Sequence, residues 1–167
     1  MYQLNPIDTA FLLAENTKTP AHVTMISIYD PSTCPGKPPT FEDIVEAVRL
    51  GLPLAPSFRR KIVRVPLDLD FPYWVEDEDF DLDYHMRHMG LPKPGNWKQF
   101  RTQASRLVSR PLDMSRPPWE MTVIEGLDSI DGLPPGCFAT VLKIHHCAID
   151  GQSGLAMVSA LHQDSPD

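Results

Sequence analysis

The sequence predicts an α/β (α+β) protein in which a mixed sheet is flanked by helices. Capped amphipathic segments alternate with short β-branched runs along most of the chain. Two stronger strand-like runs, "WEMTVIEGL" and "CFATVLKIHH", follow each other across the turn-rich "DSIDGLPPG". The second run then passes straight into a segment of helical periodicity. At 167 residues, 42% of them apolar and 22% charged, the chain suits one soluble domain with its own core.

Taken in order, "NPIDTAFLLAEN" reads as a short helix with Asn5 as cap and Pro6 at its first position. "HVTMISIYD" is a strand. "TFEDIVEAVRLGL" has a Thr40 cap, acidic residues in its first turn and an apolar stripe at Ile44, Val45 and Val48, which makes it an amphipathic helix. "SFRRKIVRVPL" predicts a strand ending at Pro66, and "PYWVED" another. "FDLDYHMRHM" places Phe80, Leu82, Tyr84 and Met86 at period two, and the acidic run "EDEDFDLD" is expected to be a solvated strand edge without EF-hand spacing. "NWKQFRTQASRLVSRPL" is helical up to Pro111. The two strong strands are expected to pair as a hairpin. Asp150 then caps a helix with a stripe at Leu155, Val158 and Leu161.

Several classes are disfavoured. No apolar run approaches the roughly 20 residues that span a bilayer, and "MYQLNPIDTA" lacks the pattern of a signal peptide. Three cysteines at no metal-ligand spacing suggest a reducing, cytoplasmic setting. A net charge of −7 argues against a general nucleic-acid binder, while leaving room for an anionic ligand on a local basic patch. The 18 prolines fall mainly between periodic segments and act as loop punctuation.

Chemistry concentrates in "KIHHCAIDG", Lys143 to Gly151. Strand alternation puts Phe138, Thr140, Leu142, Ile144 and His146 on one face, and Cys137, Ala139, Val141, Lys143 and His145 on the other. The first set is the more apolar, so His146 is expected to project into the interior at the strand's end. There a neutral imidazole is suited to general-base work. His145 points the other way, beside Lys143. Asp150 either orients a histidine or, the reading its position favours, caps the next helix and holds the loop. Gly151 permits a tight turn or close backbone approach. No metal is expected, because adjacent strand residues do not converge on one ion. Cys147 and Ser153 lie outside any nucleophile elbow and read as packing or helix-start residues.

"HHCAIDG" matches H-H-x-x-x-D-G, the signature of CoA-dependent acyltransferases with the chloramphenicol acetyltransferase-like fold, which nonribosomal peptide condensation domains share. The flanks "PIDTAFLLAEN" with "TPAHV", "FDLDYHMRHMGLPKPG" and "PLDMSRPPWEMTVIEGL" resemble the bacterial wax ester synthase/diacylglycerol acyltransferase family, from about residue 4 to residue 163. The resemblance implies acyl transfer from a fatty acyl-CoA co-substrate to a long-chain alcohol or diacylglycerol, with no permanently bound cofactor and no covalent acyl-enzyme. It makes His146 the general base, with His145 and Asp150 supporting it and Gly151 at the turn.

Family members are much longer and have two similar lobes around a channel. The resemblance therefore implies that residues 1–167 form the N-terminal lobe, partnered by a C-terminal half in the same protein or a separate chain. That half would supply oxyanion donors and much of the CoA site, and would cover the apolar face bearing Phe138, Leu142 and Ile144. A neutral-lipid product also implies peripheral contact with a membrane or lipid inclusion. In "PLDMSRPPWE", Met114 and Pro118 stand where the family often has a basic and an apolar residue, and Arg116 is a candidate partner for Asp150. Alternative readings are a condensation or polyketide-type transferase, or a half without catalysis of its own.

Overall fold

A computed structural model describes residues 1–16 and 19–149. Its elements are strand β1 (Tyr2–Gln3), helix α1 (Pro6–Ala14), β2 (His22–Tyr29), α2 (Phe41–Gly51), β3 (Arg60–Val63), β4 (Tyr73–Glu76), α3 (Leu82–His85), β5 (Met86–Gly90), α4 (Trp97–Val108), β6 (Trp119–Glu125) and β7 (Phe138–His145). A 3-10 turn, His146–Ala148, follows β7 directly.

Asn5 and Thr40, read as caps from sequence, are in place, and α4 has a cap that was not foreseen. Asn5 accepts the Asp8 amide, with Pro6 opening α1. Thr40 and Asp43 form a reciprocal capping box on α2, and Asn96 with Gln99 does the same for α4.

The main sheet has the order β2-β7-β6-β5. The expected hairpin β6–β7 is antiparallel, as is β2–β7, while β5 runs parallel to β6. A parallel neighbour needs a crossover, and α4 supplies it. Helices cover both faces. Val48 of α2, with Ile44 and Val45, packs over Phe138, Leu142, Ile144, Met121 and Trp119. On the other side Phe100 of α4 meets Ala139, Val141 and Ile124. Every residue of β7 is therefore buried, as in a central strand with two covered faces. The face bearing Phe138, Leu142 and Ile144 is closed by the chain's own α2 and needs no second lobe to cover it.

A smaller antiparallel sheet, β1-β4-β3, sits beside the main one. Trp74 of β4, Leu4 and Leu12 of α1 form a third apolar cluster with Cys147 of the turn. This cluster fixes the end of β7 relative to α1.

Three expectations change. The segment after Phe80 opens as the helical turn α3, because Asp81 accepts the Asp83 amide and caps it. Leu82, His85 and Met86 are buried, a spacing of three to four that replaces the period of two. The acidic run is solvated at Glu76, Glu78, Asp79, Asp81 and Asp83, as expected, but past Glu76 it is turn and helix instead of strand. Asp77 is buried and bridges Lys61 at 2.7 Å, which raises the lysine's affinity for its proton. The strand expected over Ser57–Pro66 shortens to β3, with Phe58 buried in a preceding 3-10 turn.

Candidate active site

The β2–β7 ladder ends with His22 opposite His145. His146 leaves the ladder, and its backbone N–H donates to Ala21 O at 2.8 Å, just before β2 begins. Strand alternation consequently stops one residue earlier than the sequence suggests. His145 is fully buried and His146 only partly, so the expectation that His146 is the interior member of the pair is reversed.

Both nitrogens of His145 face protein groups. Its Nδ1 accepts the Cys147 amide at 3.2 Å and lies 2.8 Å from the Cys147 sulfur. Its Nε2 is 3.3 Å from Glu15 Oε2, at ion-pair distance though poorly aligned for a hydrogen bond. This pattern suits the neutral tautomer with the proton on Nε2. Burial pushes the pKa of His145 down, the Glu15 carboxylate opposes that shift, and His22 and His146 add to it. His145 is thus sealed inside the protein, with Nδ1 hydrogen-bonded to the Cys147 amide and Nε2 facing Glu15.

His146 is placed differently. Its ring stacks on Phe11 of α1, with centroids 3.7 Å apart and planes 20° from parallel. Its Nδ1 is buried without a hydrogen-bond partner among the described residues. Phe11 and Glu15 stand one helical turn apart, so one face of α1 meets both histidines. Glu15 is the C-cap of α1, and its Oε1 accepts the Ala21 amide at 3.2 Å. Ala21 therefore ties the helix end to the His146 backbone.

The rest of the neighbourhood is structural. Cys147 is buried, and desolvation pushes its thiol far above the ordinary range, which leaves it protonated and unsuited to nucleophilic attack. Lys143 is also buried, with Nζ 2.7 Å from Glu120 Oε1 and donating to Arg110 O at 2.7 Å. Pro118 O accepts the His145 amide at 2.9 Å, and Trp119 Nε1 donates to Phe58 O at 2.8 Å. The "PLDMSRPPWE" segment is thus the strand end's own anchor. Within it, Arg116 lies over the Tyr84 ring at 4.3 Å. Asp150, Gly151, Ser153 and the helix expected after them lie outside the described residues. No group of three or more His, Cys, Asp or Glu side chains has metal-binding geometry among the described residues.

Sequence reasoning picked out the histidine pair and missed Phe11, Glu15 and His22. Phe11 and Glu15 share a helix face, but nothing local says that the face meets the far end of the chain.

A mixed sheet with helices on both faces is the fold of the chloramphenicol acetyltransferase-like proteins. Starter condensation domains of rhizomide synthetase RzmA share the fold, at 13% identity and a TM-score of 0.68 over 96% of this chain and 36% of theirs. The chain belongs to the wax ester synthase/diacylglycerol acyltransferase family, whose catalytic domain matches residues 4–167. The wax ester synthase/diacylglycerol acyltransferase of Marinobacter aquaeolei VT8 superposes with a TM-score of 0.73 at 30% identity, over all of this chain and 38% of that one. A probable diacylglycerol O-acyltransferase of Mycobacterium tuberculosis, tgs3, is 37% identical over 155 residues, 93% of this chain and 54% of that protein. A second relative from that organism, Rv1760, is 35% identical over 167 residues, all of this chain and 32% of its own length. The chain thus spans between a third and about half of the relatives it matches.

Proposed function

We propose that this chain is the N-terminal, histidine-bearing lobe of an O-acyltransferase that moves a fatty acyl group from acyl-CoA to a long-chain alcohol or diacylglycerol. The observation that carries the proposal is the division of labour between the histidines. His145 is fully buried, with Nδ1 on the Cys147 amide and Nε2 facing Glu15, whereas His146 is partly exposed and held by stacking on Phe11.

In this reading His146 takes the proton of the acceptor hydroxyl as that oxygen attacks the thioester carbonyl. The tetrahedral oxyanion collapses and expels the CoA thiolate, which receives the proton back from the imidazolium. No acyl-enzyme forms and no resident cofactor takes part. Oxyanion donors and much of the CoA site belong, in this proposal, to a C-terminal half supplied by the same protein or a separate chain. Asp150 and Gly151 shape the turn after His146. A neutral-lipid product implies that the protein works at a lipid surface. Among the described residues no helix is long and apolar enough to cross a membrane.

The test is turnover of palmitoyl-CoA with hexadecanol and with dioleoylglycerol by the intact protein. His146→Ala should lower kcat by about 100-fold or more with the melting temperature preserved. Near-normal turnover by that variant would remove His146 from the reaction.

A further inference from the structure

Resting on the reading of His146 as the base, we propose that Phe11 is its positioning residue. It fixes the plane of the imidazole and stabilises the positive charge that the ring acquires with the acceptor's proton.

Phe11 lies in the last turn of a helix held at both ends and along its buried face. At the start, Asn5 accepts the Asp8 amide, and the Thr9 hydroxyl donates to Asn5 O at 2.9 Å. Leu12 is buried in the cluster with Trp74 and Cys147. At the end, the Glu15 amide donates to Phe11 O at 3.1 Å, and the Glu15 carboxylate takes the Ala21 amide. Ala21 O in turn accepts the His146 amide. The backbone of His146 and the helix bearing Phe11 are therefore fixed to one another through a single residue, Ala21. The helix cannot move away from His146 without breaking these contacts.

The ring of His146 needs such a hold. A histidine χ2 torsion is broad, so without a partner the imidazole samples many planes. In a triad a carboxylate restricts it and neutralises the imidazolium. Among the described residues no carboxylate is paired with His146, and Glu15 on the same helix is turned to His145. Phe11, nearly parallel at 3.7 Å, is what touches the ring. Its π face attracts a cation more than a neutral ring. The contact is consequently stronger after proton transfer has begun than before it, which is the property that lowers a barrier.

The proposal is tested on the intact protein with palmitoyl-CoA and hexadecanol. Phe11→Leu should lower kcat roughly 3- to 30-fold, with KM for both substrates changed by less than about twofold. Phe11→Tyr keeps the π face and should retain most of kcat. In a His146→Ala background, Phe11→Leu should have no further effect. NMR gives a second readout: the His146 ring protons should lose their upfield ring-current shift in Phe11→Leu and keep it in Phe11→Tyr. If leucine unsettles the helix, Phe11→Met conserves volume without a π face and yields the same comparison. An unchanged kcat in Phe11→Leu, or an equal loss in the His146→Ala background, would overturn the role of Phe11 while leaving His146 as base. Failure of the base itself would show separately, as activity in His146→Ala alone.

Discussion

Burial strips water from the rings of His85 and His145 and so disfavours their charged forms. His85 is stacked between Phe80 and Trp119, donates from Nδ1 to Trp119 O at 2.8 Å, and has its pKa lowered chiefly by desolvation. His145 is lowered for the same leading reason. In the unfolded chain both titrate near the ordinary 6.5. Below that pH the unfolded state binds more protons than the folded one, so stability falls as the solution is acidified. Melting temperature should therefore decline from pH 7.5 toward pH 5, and the decline should be shallower in His85→Phe even if that variant melts lower throughout. A wild-type melting temperature that is flat across this range would refute the linkage. At this scale the sequence singled out the two histidines better than it placed them. The spacing H-H-x-x-x-D-G exposed the pair, and period two separated its members. What period two could not contain is where the ladder stops. β7 has its last partner at His22, so the place where the ladder stops is set by β2, and His145 then caps the turn that carries His146.

Helices with side-chain caps were legible because the capping groups are local, as Thr40 with Asp43 and Asn96 with Gln99 illustrate. Strands covered by distant elements were less so. Lys143 looked like an outward polar residue on the less apolar face of β7, yet its side chain is 1% exposed. It is tolerated there because Glu120, its cross-strand partner on β6, and Arg110 O receive its protons. Removing one member of such a pair leaves a charge without compensation. Glu120 retains 20% exposure, which moderates the loss. Glu120→Gln should cost about 2–3 kcal/mol, lowering the melting temperature by several degrees in a chain of this size. The double change Glu120→Leu with Lys143→Met should recover most of it, because apolar groups of similar volume need no partner. Thermal melts of these two variants beside the wild type decide the matter. A single variant as stable as the wild type would mean that the pair is not what holds the hairpin's end.

For the molecule as a whole, the covered and uncovered surfaces suggest how the lobe works. Strand β7 is sealed by α2 on one face and α4 on the other. Its β2 edge is different. β2 pairs with β7 on one side and has no strand on the other among the described residues. Val23, Ile26 and Ile28 are 44%, 45% and 37% exposed along it. An eight-residue apolar edge is a template for pairing with another chain. His146, the proposed base, follows the strand paired with this edge, and the proposed reaction must enclose it, since water at the thioester would compete with the alcohol. Residues 1–167 alone should therefore fold, self-associate through β2 and fail to transfer acyl groups. Ile26→Lys should reduce that self-association, measured by light scattering, without conferring turnover. Co-expression with the C-terminal half of a longer family protein should restore transfer from palmitoyl-CoA. Monomeric and fully active material from residues 1–167 alone would show instead that His146 is enclosed without a second half.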